Sequence, residues 1–282
     1  MLNKTKIWTA TKVQLRRYLA RHRQATALRK LAQYCETFLH FYNNYDHNMA
    51  ENGEVAILDA LRGSDPRVLF DVGANQGDWA NVGATRFPNA TIHCFEIVSD
   101  TFSVLERRFA DNPRLVLNEF GLSNEPGEVT VQTYDGRSDI STLYSYPEHA
   151  ERCVTRTGRV IRGDDYIASH QIERIDLLKI DVEGAELRVF HGFERSLSSG
   201  LVAMVQFEYG MVNIMAGVFL RDLYQFLSSR GFVVGKIFPT YVDFRPYELA
   251  DDDFRGPNYL AVRSDRPDLI RRVQVLRQER SD

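Results

Sequence analysis

Apolar residues recur along this chain with two different periods, and the change of period suggests where its parts begin and end. From Leu28 to Tyr42 they recur every three or four positions, as on one face of an amphipathic helix. A second short helix is predicted from Val55 to Leu61. Gly63-Ser64-Asp65-Pro66 then breaks the chain. We therefore expect a helical segment in residues 1–62 and a separate domain after it.

Beyond Pro66, short apolar runs alternate with helical patterns as far as residue 263. This alternation predicts an α/β fold with a doubly wound, mostly parallel sheet and helices on both faces. The strands are predicted at 67–72, 91–96, 114–121, 175–181, 201–208, 232–238 and 257–263. The helices are predicted at 76–86, 99–110, 184–198 and 217–230.

Three segments fit this alternation less well. Residues 127–134 alternate apolar and polar and predict an extra edge strand, whereas residues 135–160 read as a long polar loop. Residues 264–282 read as a charged tail, one peripheral helix at most. The expected domains are therefore residues 1–62, 63–263 and 264–282.

Composition narrows the classes of function. The chain has 282 residues, a net charge of −3 and a pI of about 6.2, which argues against a dedicated nucleic-acid binder. Cys35, Cys94 and Cys153 are widely spaced and form no C-x-x-C motif. They predict reduced thiols in a cytoplasmic protein rather than disulfides or a zinc site.

Charge is unevenly distributed along the chain. Residues 1–30 contain nine Lys/Arg and no Asp/Glu. This basic segment is expected to be a lid over the acceptor, a homodimer surface or a peripheral membrane contact. The lid and the dimer are favoured because polar residues from Arg21 to Gln24 interrupt the apolar face.

Residues 68–79 form the most informative stretch, because they read as a buried strand, a glycine turn and the start of a helix. Gly73 and Gly77 suit a turn whose backbone approaches a ligand closely. Asp71 precedes the turn. Glu96 ends the next predicted strand, where a carboxylate can accept both hydroxyl groups of a ribose.

The glycine spacing separates two kinds of cofactor. Dinucleotide folds use G-x-G-x-x-G, whereas this turn reads D-x-G-x-x-x-G and contains Asp71 and Asp78. Those negative charges disfavour a pyrophosphate and favour a cofactor that carries an ammonium and a sulfonium group. The turn therefore predicts S-adenosylmethionine, with an NAD-dependent oxidoreductase as the alternative.

A second acidic strand end follows the apolar run from Ile175 to Ile180. Asp181 and Glu183 would project into the same crevice as Asp71 and Glu96, because ligands bind at the carboxyl ends of strands where the strand order reverses. For Glu186 we favour a role at the helix N-terminus. Lys179 is either the partner of Asp181 or on the other side of its strand.

These motifs, in this order, resemble the FkbM-type S-adenosylmethionine-dependent methyltransferases. The resemblance covers residues 45 to 263 and rests on D-V-G-A-N-x-G, F-E-I-V, L-L-K-I-D-V-E-G-A-E and Q-F-E-Y-G. It implies the seven-stranded class I methyltransferase sheet, which is Rossmann-like, and O-methylation of a sugar or another secondary metabolite. Ile97 stands where the family usually has proline.

The resemblance also implies roles for individual residues. Asp71, Gly73, Asn75 and Gly77 would hold the methionine part, Glu96 the ribose, and Gly121-Leu122-Ser123 the adenine. Ile97 and Asp181 complete the expected cofactor site. Methyl transfer to a hydroxyl needs a general base, for which the candidates are, in order, Asp181, Glu183 and Asp139.

Three alternatives stay open. Asp181, Glu183 and Glu208 could bind Mg²⁺, a less favoured hypothesis than a site without metal. The acceptor is expected to be a saccharide hydroxyl, with a polyketide or lipid hydroxyl as its competitor. A cofactor-binding adaptor without activity is the non-enzymatic alternative. Five aromatic residues are candidate platforms for a sugar ring: Tyr144, Tyr146, Tyr209, Phe238 and Tyr241.

Overall fold

The computed structural model describes residues 4–134, 137–145 and 151–276, without the side chains of 4–11 and 138–140. Contacts between residues divide the chain into two compact units, Met1–Asn43 and Asn44–Asp282. We describe each unit by itself.

The first unit consists of two helices. Helix α1 spans Lys4–Arg21 and helix α2 spans Thr26–Tyr42. They are joined by a short turn, in which the Ala25 amide donates to the His22 carbonyl at 2.8 Å. Helix α2 buries none of its residues.

The second unit contains twelve strands within the described residues. They are β1 (Val68–Val72), β2 (Thr91–Phe95), β3 (Leu115–Asn118), β4 (Gly121–Ser123), β5 (Gly127–Tyr134), β6 (Arg137–Thr142), β7 (Cys153–Arg162), β8 (Leu177–Ile180), β9 (Met204–Glu208), β10 (Phe232–Phe238), β11 (Tyr241–Phe244) and β12 (Asn258–Arg263). Its helices are α3 (Glu54–Leu61), α4 (Asp78–Arg86), α5 (Ser99–Phe109), α6 (Gly163–Ser169), α7 (Glu186–Gly192), α8 (Glu194–Ser199), α9 (Val212–Ala216), α10 (Leu220–Ser228) and α11 (Pro267–Gln274).

Eight strands form the main sheet, in the order β11-β10-β12-β9-β8-β1-β2-β3. Strands β3, β2, β1, β8 and β9 are parallel to one another, whereas β12 is antiparallel to both β9 and β10. This confirms the α/β class I arrangement, but the sheet has eight strands rather than seven. The additional strand, β11, pairs with β10 in a hairpin. It lies in the connection between the last two predicted strands, which is rich in Pro, Tyr and Phe and in which no strand was predicted.

A second sheet contains four strands in the order β4-β7-β5-β6. The prediction of a polar loop over 135–160 is therefore wrong in part, because β7 pairs with β5 from Gly127↔Val160 to Tyr134↔Cys153. The predicted third strand also divides, since β3 remains in the main sheet and β4 joins the second one. Much of β5 and β7 is exposed, so their apolar periodicity is weak.

Two boundaries of the predicted domains also differ from the structure. Helix α3 belongs to the second unit, where Ile57, Leu58 and Leu61 are buried, so the division comes before the break at residues 63–66. Helix α11 is not peripheral, because Leu269 and Val273 are buried in the core together with α3. Helical periodicity shows that a face is apolar but does not show what covers it.

The helices also depart from the predicted ranges. The helix expected at 184–198 is two helices, α7 and α8, and α6 is additional. Both faces of the main sheet are covered, since neighbouring residues of β1, Leu69 and Phe70, are fully buried in different core clusters. No helix within the described residues is both long and apolar enough to cross a membrane.

Candidate functional site

The strand order of the main sheet reverses between β1 and β8, so a crevice forms where these two strands end. Gly73 follows β1 directly and has a left-handed φ of 83°. A Cβ atom there would lie 1.7 Å from the carbonyl oxygen of Asp181, which follows β8. The two strand ends therefore meet at a distance that only glycine permits.

Gly77, the second glycine of the turn, contacts protein side chains rather than the cleft. Gly77 precedes α4, and a Cβ atom there would lie 2.4 Å from the Phe109 ring and 2.6 Å from Leu105. Gly77 therefore permits close packing against α5. Asn75 lies between the two glycines with a φ of 47°, and its buried Oδ1 atom has no hydrogen-bond partner.

Glu96 lies at the end of β2, and backbone groups hold its carboxylate in place. Its Oε2 atom accepts a hydrogen bond from the Asn75 amide at 2.9 Å, and its Oε1 atom accepts one from the Val98 amide at 2.8 Å. Burial raises the pKa of Glu96 to about 7, although these amides oppose the increase. Its carboxylate can still accept hydrogen bonds from hydroxyl groups.

Lys179 joins the acidic ends of β1 and β8. Its Nζ atom lies 3.3 Å from Asp71 Oδ1 and 3.1 Å from Asp181 Oδ2. Burial alone would lower the pKa of Lys179, but the carboxylates of Asp181 and Asp71 outweigh it and raise that pKa. The question left open by the sequence is thereby answered: Lys179 is the partner of Asp181.

Asp71 is not in the cleft, contrary to expectation. Its side chain is fully buried, and burial raises its pKa to about 6 against the opposing effect of Lys179. Asp71 thus acts on the strand ends indirectly, through its ion pair with Lys179. Residue spacing could not reveal this, because it does not fix the direction of a side chain at the end of a strand.

The loop from Asp181 to Glu186 is shaped by its own acidic residues. Glu183 and Gly184 both have left-handed backbones, with φ of 49° and 97°. Glu186, buried in the first turn of α7, accepts hydrogen bonds from the amides of Val182 at 3.3 Å and Gly184 at 3.1 Å. The D-V-E-G-A-E sequence therefore folds back on its last residue, which directs Asp181 and Glu183 outward.

A first cleft of about 160 Å³ opens beside these strand ends. Eight of the residues predicted to bind the cofactor line it: Gly73, Asn75, Glu96, Ile97, Gly121, Leu122, Ser123 and Asp181. Asp71 and Gly77 do not.

The four-stranded sheet forms one wall of this cleft, which the sequence analysis missed. Val131, Val160 and Thr142 line the cleft from three of its strands, and Gly121 from the fourth. The alternating Val129, Val131 and Thr133 gave a signal of an edge strand. Its partner strand, β7, was not predicted, because its sequence is rich in arginine and threonine and has little apolar periodicity.

A second and larger cleft, of about 820 Å³, adjoins the first. The two share Gly73, Asn75, Asp181 and Glu183. Among the described residues, its lining has six carboxylates but only two Lys/Arg, Arg137 and Lys179. The carboxylates belong to Glu54, Asp78, Asp181, Glu183, Glu186 and Glu208.

Three of these residues, Asp181, Glu183 and Glu208, form a cluster. Each offers one carboxylate oxygen, and these atoms lie within 4.8 Å of one another. Burial, and then the charges of Asp181 and Glu183, raise the pKa of Glu208. A cluster with so much negative charge favours uptake of a proton or a cation, so its oxygen atoms suit both a shared general base and a divalent ion.

The other candidates are distributed differently. The side chain of Asp139 and the whole of Tyr146 lie outside the described residues. Tyr209 lines the larger cleft, whereas Tyr144 lies against Gly184. Phe238 and Tyr241 stack on each other in the β10–β11 hairpin, with ring centres 4.8 Å apart.

Comparisons with known proteins agree with this geometry. The family described as the methyltransferase FkbM domain matches residues 71–234. The chain is 30% identical over 163 residues to the hexuronic acid methyltransferase AglP of Haloferax volcanii, which covers 57% of this chain and 62% of AglP. It is 27% identical over 154 residues to the 2-O-methyltransferase NoeI of Sinorhizobium fredii, covering 50% and 63% of the two chains.

A third relative is the 31-O-demethyl-FK506 methyltransferase FkbM of Streptomyces tacrolimicus. It is 29% identical over 158 residues, covering 45% of this chain and 59% of that protein. The chain thus spans less than two thirds of the length of each of these three relatives.

Proposed function

Since the chain belongs to the FkbM family of S-adenosylmethionine-dependent methyltransferases, we propose that it methylates a hydroxyl oxygen of a saccharide. The main support is the junction of two clefts at Asp181 and Glu183, where a transferable group and a base would meet.

The first cleft has features that fit the cofactor. The close approach at Gly73 leaves backbone in the cleft wall, and the Asn75 Oδ1 atom has a free acceptor site for an ammonium group. Glu96 would accept the ribose hydroxyl groups with its remaining lone pairs. Ile97, Leu122 and Ser123 would border the adenine. When bound, S-adenosylmethionine supplies an electrophilic methyl group to a nucleophile placed in line with its sulfonium.

The carboxylate cluster would remove the proton from the acceptor hydroxyl. Asp181 is the first recipient in our proposal, because it lines both clefts and Lys179 fixes one of its oxygens. Glu183 and Glu208 would share the proton, since neighbouring carboxylates titrate as a unit. A positioned base typically contributes about 10²–10⁴-fold to a rate.

The lining of the larger cleft supports a saccharide without an acidic group. Tyr45 provides aromatic surface, and the accessible carboxylates of Asp78, Asp181, Glu183 and Glu208 provide acceptors for sugar hydroxyl groups. A uronic acid such as the substrate class named for AglP would meet predominantly like charges. We therefore propose a neutral or amino sugar as the acceptor.

A polyketide hydroxyl is the second candidate, because the FkbM relative acts on 31-O-demethyl-FK506. Apolar residues in the larger cleft, including Met49, Val82 and Met211, would favour such an acceptor. An acceptor panel of neutral sugars, amino sugars, uronic acids and macrolides distinguishes the two, with methylation followed by mass spectrometry.

Calorimetric titration with S-adenosylhomocysteine tests the first step, with NADH as the parallel control. We expect micromolar binding of the first compound and none of the second. Binding of NADH alone would overturn the proposal in favour of an oxidoreductase. Binding of S-adenosylhomocysteine without methylation of any panel member would instead favour the adaptor.

We also retain a cytoplasmic location as a proposal. It is supported by the three cysteines, which are free thiols at separate positions: Cys35 is exposed, Cys94 is buried and Cys153 is partly buried.

A further inference from the structure

The first unit, Met1–Asn43, exposes many large apolar side chains on its two helices. Helix α2 buries none of its residues. Five of its apolar side chains are more than half exposed: Leu31, Tyr34, Phe38, Phe41 and Tyr42. Large exposed apolar areas mark surfaces that bind something.

These side chains lie together on one face of the helix. Leu31, Tyr34, Phe38 and Phe41 follow one another at intervals of three or four residues. The rings of Phe38 and Tyr42 stack with centres 6.0 Å apart. The result is a continuous stripe, composed mostly of aromatic residues, which we call the α2 stripe.

Helix α1 adds a second apolar face with basic flanks. Leu15 and Tyr18 are more than half exposed, and Leu19 is 41% exposed. At helical spacing, Arg16 lies on one flank of this face and Arg21 on the other. Arginine side chains in such positions can extend their charged groups toward phosphates while their stems lie along apolar surface.

The structure removes the reason for preferring a lid or a dimer. The polar residues from Arg21 to Gln24 seemed to interrupt a single apolar face. They instead lie at the end of α1 and in the turn before α2. Each helix therefore keeps its own apolar face intact.

We propose that the first unit binds the surface of a membrane containing anionic lipids. The charge of the segment identifies the partner, because residues 1–30 contain nine Lys/Arg and no Asp/Glu. Basic residues beside an apolar, aromatic helix face are typical of helices that lie in the headgroup region. Anionic headgroups attract the cations, and the aromatic rings enter the boundary with the acyl chains.

A second copy of the chain fits this surface less well. Two copies that met through their first units would bring the same cluster of cations together, and Glu36 is the one acidic residue among residues 1–43. Protein interfaces of this kind normally pair charges of both signs.

Vesicle co-sedimentation of the full-length chain tests the proposal. The probes are vesicles of phosphatidylcholine alone and vesicles that also contain about 30% phosphatidylglycerol. We expect binding to the anionic vesicles only, and weaker binding as salt increases. Arg16→Glu/Arg21→Glu and Phe38→Ser/Phe41→Ser should each weaken it by about tenfold or more.

Matched changes in the second unit serve as controls. Arg107→Glu/Arg271→Glu alters net charge equally, and Leu249→Ser/Val275→Ser removes two exposed apolar side chains. Both controls should bind vesicles as the unaltered chain does. Absence of binding to anionic vesicles would overturn the proposal, as would equal losses in variants and controls. A dimer in light scattering that Phe38→Ser/Phe41→Ser dissociates, without any vesicle binding, would assign the α2 stripe to a second copy.

Discussion

The carboxylates at the ends of β2 and β8 border the same cleft but are stabilised in different ways. Glu96 accepts a hydrogen bond from one backbone amide on each oxygen. Asp181 instead shares a single lysine with Asp71 and lies in a cluster with Glu183 and Glu208. The first arrangement fixes an acceptor for binding. The second leaves negative charge that a proton can neutralise, as catalysis by a base requires.

The largest effect on stability and cofactor binding should come from disrupting the contact between Gly73 and Asp181, where the ends of β1 and β8 meet. In Gly73→Ala the added Cβ would lie 1.7 Å from the Asp181 carbonyl, at a left-handed backbone. We expect a loss of about 3 kcal/mol or more in the free energy of unfolding, together with loss of S-adenosylhomocysteine binding. Urea denaturation and calorimetry measure the two effects.

Gly127→Ala is the matched control, because no atom lies within 4 Å of the position of its Cβ. It should change stability little. Normal cofactor binding by Gly73→Ala would show that the strand ends need not approach so closely.

The next largest effect should be on kcat, without a change in cofactor binding. Asp181→Asn keeps the size of the side chain and its hydrogen bond with Lys179 but removes the base. With the acceptor found in the panel, we expect kcat to fall about 10²–10⁴-fold. Calorimetry should show that S-adenosylhomocysteine still binds.

Asp111→Asn, an exposed change of the same kind, is the control for Asp181→Asn. Retention of most of the activity by Asp181→Asn would remove this residue from the mechanism. The same assay on Glu183→Gln and Glu208→Gln then ranks the other members of the cluster.

A smaller effect should appear in the pH dependence of cofactor binding. The pKa of Glu96 is raised to about 7, so its ionised form predominates above that pH and its protonated form below it. Protonation removes an acceptor for ribose hydroxyl groups. We therefore expect the affinity for S-adenosylhomocysteine to fall by about tenfold as the pH falls from about 8 to about 6.

Glu96→Gln should bind more weakly and show a flat pH profile, whereas the exposed change Glu119→Gln should leave the profile unaltered. A slope that persists in Glu96→Gln would have to come from another buried acid. Asp71 and Glu186, with pKa values of about 6 and about 7, are the groups to test next.

The smallest effect is expected from removing metal ions. If the Asp181–Glu183–Glu208 cluster works through a proton, turnover should be unchanged by EDTA. Loss of turnover that Mg²⁺ restores would assign the cluster to a cation and would make its oxygens ligands rather than a base. Glu208→Gln should then also abolish the response to Mg²⁺.

Features set by short stretches of sequence could be predicted. The apolar runs that end at Val72, Phe95 and Ile180 are strands of one sheet, and their ends meet as expected from parallel strands. The glycine turn after β1 was predicted because φ above zero and close approach both require glycine. Eight of the ten proposed cofactor residues line one cleft.

Features that depend on a distant partner could not be predicted. Strand β7 is recognisable only beside β5, and the burial of α11 only beside α3. Asp71 and Asp181 both follow apolar runs in the sequence. In the structure, however, Asp71 is buried against Lys179, whereas Asp181 lines the cleft. The sequence indicates which residues end a strand, but packing decides which way they face.

The backbone of Glu183 connects the two clefts. Its carbonyl accepts a hydrogen bond from Thr142 Oγ1 at 2.6 Å, and Thr142 belongs to the small sheet that walls the first cleft. Because Glu183 lines both clefts, we expect an acceptor that binds its carboxylate to alter the wall around the cofactor, so that binding of the two substrates is energetically linked. By reciprocity each would then change the dissociation constant of the other by the same factor, so a true acceptor can be recognised by the change it causes in the affinity for S-adenosylhomocysteine.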